Sequence, residues 1–188
     1  PAGDGALPHS LSRRAGGPVR GAAMREKRRA EASLRVAVCD RQSVVPMPHR
    51  RVRALARAAS PANWHGATVS IVLVDGREMT ALNGRFTGRT GDTDVLAFDL
   101  SGGDDGPVGE VIVNATRAAA EARARAVEPQ EEMALYIAHG LIHLQGFDDH
   151  TAKDRQRMYA REAEVLAAAG WPCVRPARRR SPRGGSDR

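Results

Sequence analysis

The sequence predicts an α/β fold, a single domain in which a small mixed β-sheet packs against about five helices. Three observations predict it. Between residues 33 and 170, strand-like runs and helix-like runs follow one another in the order β-α-β-α-β-β-α-α-α. The two adjacent strand-like runs are joined by SGGDDGP, a turn cluster that lets the second pair back onto the first. A chain of 188 residues with 41% hydrophobic content also has room for one domain with its own core.

SLRVAVC (Ser33–Cys39) has β-branched residues in short alternation and reads as a strand. HRRVRALARAAS, from His49, places Val52, Leu55 and Ala59 on one face with arginines opposite, the pattern of an amphipathic helix. ATVSIVLVD (Ala67–Asp75) is the strongest strand signal and closes on an acid. GREMTALNGRF follows as a short helix, with Met79 and Leu82 inward and Gly84 near its end. TDVLAFDL (Thr93–Leu100) and GEVIVN (Gly109–Asn114) are the two strands on either side of the turn cluster. ATRAAAEARARAV is alanine-rich and strongly helical. EPQEEMALYIAHGLIHLQG begins with Pro129 and three acids in the first turn and stops at Gly146. TAKDRQRMYAREAEVLAAAG opens on a Thr-x-x-Asp cap pattern and ends at Gly170. Aromatic residues make up only 4% of the chain, so the core is expected to be Val, Leu, Ile and Ala.

The net charge of +7 suggests a nucleic-acid partner until it is divided. Residues 1–33 carry +4, residues 172–188 carry +5, and residues 34–171 carry −2. The basicity belongs to the ends, where arginines add salt-dependent, sequence-independent affinity for RNA or are simply solvated. Residues 1–33 read as a disordered extension with Met24 as a candidate start, residues 172–188 as a basic disordered tail, and 34–171 as the domain. No apolar run is long enough to span a membrane, and the first residues lack the apolar core of a secretory signal. Cys39 and Cys173 are too few for a disulfide framework, compatible with a reducing cytoplasm, the expected location.

Three of the six histidines fall within HGLIHLQGFDDH, His139 to His150. His139 and His143 are four apart on the best-marked helix, so their side chains rise from one face and can grip one ion. Beyond Gly146 the chain turns, and His150 is expected to return as the third ligand. Three imidazoles with one position left for water is the arrangement of catalytic zinc, whereas structural zinc is usually closed by four protein ligands. Zinc, one per chain, is therefore the expected cofactor, in a zinc-dependent-hydrolase-like domain. Zinc lowers the pKa of bound water towards about 7, which favours hydrolysis. A zinc peptidase would carry H-E-x-x-H, and Gly140 stands where that glutamate belongs. Asp148 and Asp149 have two readings: one accepts a hydrogen bond from the far nitrogen of a ligating imidazole, or both are turn residues that cap the next helix. His9, His49 and His65 are not expected to hold the ion: an N-terminal extension, the start of a surface helix and a loop are their places.

The same twelve residues resemble the His-Gly-x-Leu-His-Leu-x-Gly-Tyr-Asp-His signature of the YbeY family, the bacterial endoribonuclease and ribosomal RNA maturation factor. The likeness continues upstream: LNGRFTGRTGDTDVLAF (Leu82–Phe98) resembles the family's Leu-Asn-x-x-Tyr-Arg and Thr-Asp-Val-Leu-Ser-Phe segment, and GEVIVN its Gly-Asp-Ile-x-Ile strand. The resemblance covers about residues 34–171. It implies a metal-dependent endoribonuclease that prefers single strands and acts in ribosomal RNA processing, notably at small-subunit RNA ends, and in disposing of defective ribosomes. It implies zinc on His139, His143 and His150, and ribosomal RNA, with ribosomal proteins or the small subunit, as partners.

Two departures from the signature matter. His150 comes one residue late, and Asp149, at the position the signature gives to histidine, is a rival ligand through its carboxylate oxygen. The family's arginine after the tyrosine falls on Thr87, which cannot grip a phosphate with two parallel donors. Arg85 and Arg89, with Thr93 and Asp94, are the remaining candidates for RNA contact, the two arginines as phosphate contacts. Two functions from different classes follow. One is a zinc-dependent endoribonuclease; the other is a non-catalytic ribosome-assembly factor in which zinc pins the last two helices together. A third, a zinc hydrolase of small substrates, would need a general base that the sequence does not offer.

Overall fold

The computed structural model describes residues 34–64, 66–100 and 107–173, without the side chains of Pro107 and Val108. The expectations for residues 1–33, including His9 and Met24, for His65, for the turn at 101–106 and for the tail from 174 lie outside the described residues.

Among the described residues, four strands and five α-helices form in the expected order: β1 (Arg35–Asp40), α1 (His49–Ala59), β2 (Thr68–Val74), α2 (Gly76–Thr87), β3 (Val95–Asp99), β4 (Pro107–Asn114), α3 (Ala115–Arg125), α4 (Pro129–His143) and α5 (Ala152–Ala168). The sheet order is β1-β2-β4-β3. β1 and β4 both run parallel to β2, while β3 runs antiparallel to β4, Val95 opposite Val113 and Phe98 opposite Glu110. The strand after the turn does pair back on the one before it, and the sheet is mixed.

Side chains alternate between the two faces of a strand, and here both faces are used. Val69, Ile71, Leu73, Val111 and Val113 pack into the main core with residues of α1, α3, α4 and α5. Val72, Val74, Leu96 and Ile112 face the other way and bury Met79, with Leu82 and Phe98 against it. Among the described residues, α2 covers one face of the sheet, and α1, α3 and α4 lie on the opposite face with α5 packed on α1 and α4. Helix α2 runs past Gly84 to Thr87 and ends at Gly88, whose φ of 70° is the left-handed stop.

Helix α4 has no polar side to speak of, because neighbours surround it. Residues Glu132 to Ala138 and Gly140 to Ile142 are buried among α1, α3, α5 and the sheet. The core departs from expectation in composition. Met47, Met133, Met158, Trp64 and Trp171 join the aliphatic residues, and Met79 is buried as its place on the helix predicts. Among the described residues, no helix is long and apolar enough to cross a membrane.

Candidate metal centre

The site grows from the end of α4. Pro129 sits in the first turn with Glu131 and Glu132, both favourable where the helix dipole is positive. Gly140 lets this helix lie directly on the sheet: a Cβ there would come within 2.5 Å of a Val111 methyl and 2.8 Å of a Val95 methyl. A glutamate could not occupy that position, which gives the missing peptidase base a packing reason. The helix stops at His143, and Gly146, at φ 81°, bends the chain back on itself. The N–H of Gly146 donates to the His143 carbonyl at 2.9 Å. That bend brings the Phe147 carbonyl under the His143 ring.

Each imidazole is then fixed by its Nδ1. His143 Nδ1 lies 3.0 Å from the Phe147 carbonyl oxygen, which only accepts, so Nδ1 carries the proton. His139 Nδ1 lies 2.8 Å from the Glu162 carboxylate, which arrives from α5 and is fully buried. With both Nδ1 atoms donating, both Nε2 atoms present lone pairs, and these face each other at 3.0 Å. Two neutral imidazoles in that state cannot hydrogen-bond to one another. Protonating His143 is disfavoured, since burial and then the neighbouring His139 hold its pKa below the ordinary 6.5, although Phe147, Asp149 and Asp148 pull upward. A cation is what suits two converging lone pairs. Two nitrogens each about 2.0–2.1 Å from a tetrahedral ion stand about 3.3 Å apart, close to the spacing here.

Glu162 and the Phe147 carbonyl, rather than Asp148 or Asp149, hold the Nδ1 atoms of His139 and His143, while Asp148 lies against the ring of His150. The cap of α5 is Thr151, whose hydroxyl accepts from the Asp154 N–H at 3.1 Å. Asp148 instead accepts from the Asp149 N–H at 2.7 Å. A carboxylate oxygen of Asp149 shares a cluster with the rings of His139 and His143 in which all ligand atoms lie within 4.8 Å of one another. His150 belongs to a second group, with Asp148 and Asp149. Its side chain is 83% exposed and its Nε2 is 3.3 Å from Asp148.

Around this centre the other candidates divide. Thr93 and Asp94 precede β3, the strand that α4 crosses at Gly140; the Thr93 hydroxyl donates to Asp94 at 3.1 Å. Fully buried Asn114 holds this segment, donating to Asp92 and to the Thr93 carbonyl at 3.1 and 2.9 Å. Arg85 lies on α2, across the sheet from α4, with its guanidinium 5.4 Å from the Phe86 ring. Arg89 follows α2 and is exposed. The Thr87 hydroxyl turns inward, within 2.8 Å of the Asn83 carbonyl. A buried carboxylate that the sequence pattern does not single out is Glu132, paired with Arg125 at 3.0 Å. Tyr136 lies one turn on from it, its phenol pushed well above its ordinary pKa by burial and then by Glu132, Asp94 and Glu121.

Comparison with known proteins follows the same residues. Residues 26–170 match the family model described as Endoribonuclease YbeY. The chain is 39% identical over 124 residues to an Endoribonuclease YbeY of Anaeromyxobacter sp. (strain Fw109-5), covering 64% of this chain and 65% of that one. It is 32% identical over 130 residues to the protein of that description from Geobacillus kaustophilus (strain HTA426), covering 63% of this chain and 83% of that one. The solution structure of TM1509 from Thermotoga maritima matches with a TM-score of 0.49 and 22% identity, over 71% of this chain and 89% of that chain.

Proposed function

The chain belongs to the Endoribonuclease YbeY family, and on that premise we propose that it is a metal-dependent endoribonuclease that cleaves single-stranded segments of ribosomal RNA in the cytoplasm. Processing of small-subunit RNA ends and removal of defective ribosomes are the tasks this reading gives it, with ribosomal RNA and ribosomal proteins as partners. One observation carries it: the Nε2 atoms of His139 and His143 converge at 3.0 Å with both Nδ1 atoms already engaged.

In this reading His139 and His143 hold one zinc ion, with a further ligand from the Asp148–His150 loop. A divalent ion so held supplies positive charge for phosphate oxygens and acidifies water near it. The chain's own residues do the rest. Glu162 keeps the His139 ring in one tautomer and orientation, and the Phe147 carbonyl does the same for His143. Arg85, in the last turn of α2, and Arg89, just after it, contact the phosphate backbone. With few aromatic residues in the chain, recognition rests on backbone charge and shape rather than on base stacking.

A second reading has a specific observation in its favour. Thr87, where relatives' signature carries arginine, turns its hydroxyl back into its own helix at Asn83 and offers no phosphate donor. That favours a ribosome-assembly factor whose zinc ties α4 to α5. Incubating zinc-loaded protein with a labelled single-stranded RNA and with its duplex separates the two. Chelator-sensitive cleavage of the single strand supports the enzyme; binding of RNA without cleavage, at any dose, supports the assembly factor.

A further inference from the structure

We propose that the third protein ligand of the metal is the carboxylate of Asp149, and that His150 stays outside the site. This rests on the metal-dependent reading above and settles which side chain of the loop completes it. Asp149 is half-buried and puts a carboxylate oxygen into the cluster formed by the two rings, with all ligand atoms within 4.8 Å of one another. His150 points away, 83% exposed and engaged with Asp148.

The loop is held so that this choice persists. The N–H of Asp149 donates to Asp148, and one guanidinium nitrogen of Arg155 donates to the carbonyls of both Asp149 and His150, each at 2.9 Å. Thr151 then caps α5 immediately, which leaves His150 as the last residue before the cap. Bringing its ring to the two histidines would mean giving up its contact with Asp148. Asp149 needs no such rearrangement.

The chemistry is suited to the exchange. Zinc accepts carboxylate oxygen beside two imidazoles in open catalytic sites, so a histidine is not required in third place. Replacing a neutral nitrogen by an anionic oxygen lowers the net charge of the loaded site by one. It also makes the ligand set harder, which raises the standing of Mn2+ relative to Zn2+. The family signature supplies a histidine at this point. This chain, with its extra residue, supplies an aspartate there and sends its histidine into solvent.

The test is Zn2+ affinity by competition with a chromophoric chelator, on the full chain and on Asp149→Ala, His150→Ala and Asp149→His, with melts of the metal-free proteins as a folding control. Asp149→Ala is expected to weaken binding by roughly 100-fold or more, at or above the upper end of the loss caused by removing a mere supporting partner. His150→Ala is expected to stay within about twofold, as an exposed substitution does. Asp149→His, which restores a nitrogen ligand at the same place, is expected to keep tight Zn2+ binding and lose Mn2+ binding. A loss in His150→Ala equal to or larger than that in Asp149→Ala overturns the proposal, and so does an Asp149→Ala protein that binds as the parent does. Failure of the parent chain itself to bind Zn2+ overturns the metal-dependent reading along with it, an outcome distinct from either.

Discussion

Glu162→Leu removes the acceptor that fixes the His139 ring and leaves a side chain of similar bulk in the same buried place. In the parent protein this carboxylate lies 2.8 Å from His139 Nδ1. Losing an orienting partner of this kind lowers metal affinity by about 10- to 100-fold. That corresponds to about 1.4–2.7 kcal/mol of binding free energy. At free zinc about 100 times the parent Kd, the metal adds about 2.7 kcal/mol to stability; the variant would gain only about 1.4 kcal/mol after a tenfold loss and about 0.4 kcal/mol after a hundredfold one. At about 4 °C per kcal/mol for a domain of this size, the zinc-induced rise in Tm falls from about 11 °C to between about 6 and 2 °C. Taking the difference between melts with and without zinc removes the direct effect of the leucine on the core. Glu162→Gln, which keeps an oxygen acceptor, should fall between the two. A zinc-induced rise in the leucine variant equal to the parent's would refute the role given to Glu162.

Three other perturbations test the packing and charge around the site. Gly140→Ala gains about 1 kcal/mol of helix propensity but forces a methyl against Val111 and Val95, an overpacking cost of about 1–3 kcal/mol; urea melts should show net destabilisation, and a more stable variant would contradict the contact. Arg125→Met removes the guanidinium paired with the buried Glu132 carboxylate. It should cost roughly 2–3 kcal/mol, less than a fully buried pair because Arg125 is one-third exposed, and unchanged denaturant midpoints would argue against that pair. In the metal-free protein His143 titrates below the ordinary 6.5, so the unfolded chain binds its proton more readily. Its contribution is present above about pH 6.5 and is lost as pH falls through the folded value, so the parent's Tm should drop more steeply than that of His143→Gln on acidification; parallel curves would count against it.

How much of this was legible beforehand differs by residue. The element order could be read because each strand and helix carries its own period and its own stop signals, as at Gly146 and Gly170. The pair His139 and His143 could be read because helical spacing alone puts them on one face. Glu162 could not be placed so, since it reaches His139 from 23 residues away through the packing of α5 on α4. Its trace was present all the same: it shares the buried face of α5 with Met158, Val165 and Leu166, and a carboxylate on an apolar stripe calls for a partner. The choice between Asp149 and His150 was open for another reason. Adjacent residues in a loop point in different directions, and here the Arg155 and Asp148 contacts decide which way each one faces. Met79 could be placed inward from its helical position, but Met47, Met133, Met158 and the two tryptophans went unforeseen because a low aromatic fraction says nothing about where the few large residues go.

The most direct measurement is zinc per chain together with cleavage of a single-stranded RNA, for the parent protein and His143→Ala purified side by side. The account predicts about one zinc per chain in the parent and chelator-sensitive cleavage that scales with protein dose, with both lost in the variant. Equal zinc content or equal cleavage in the two proteins would contradict it.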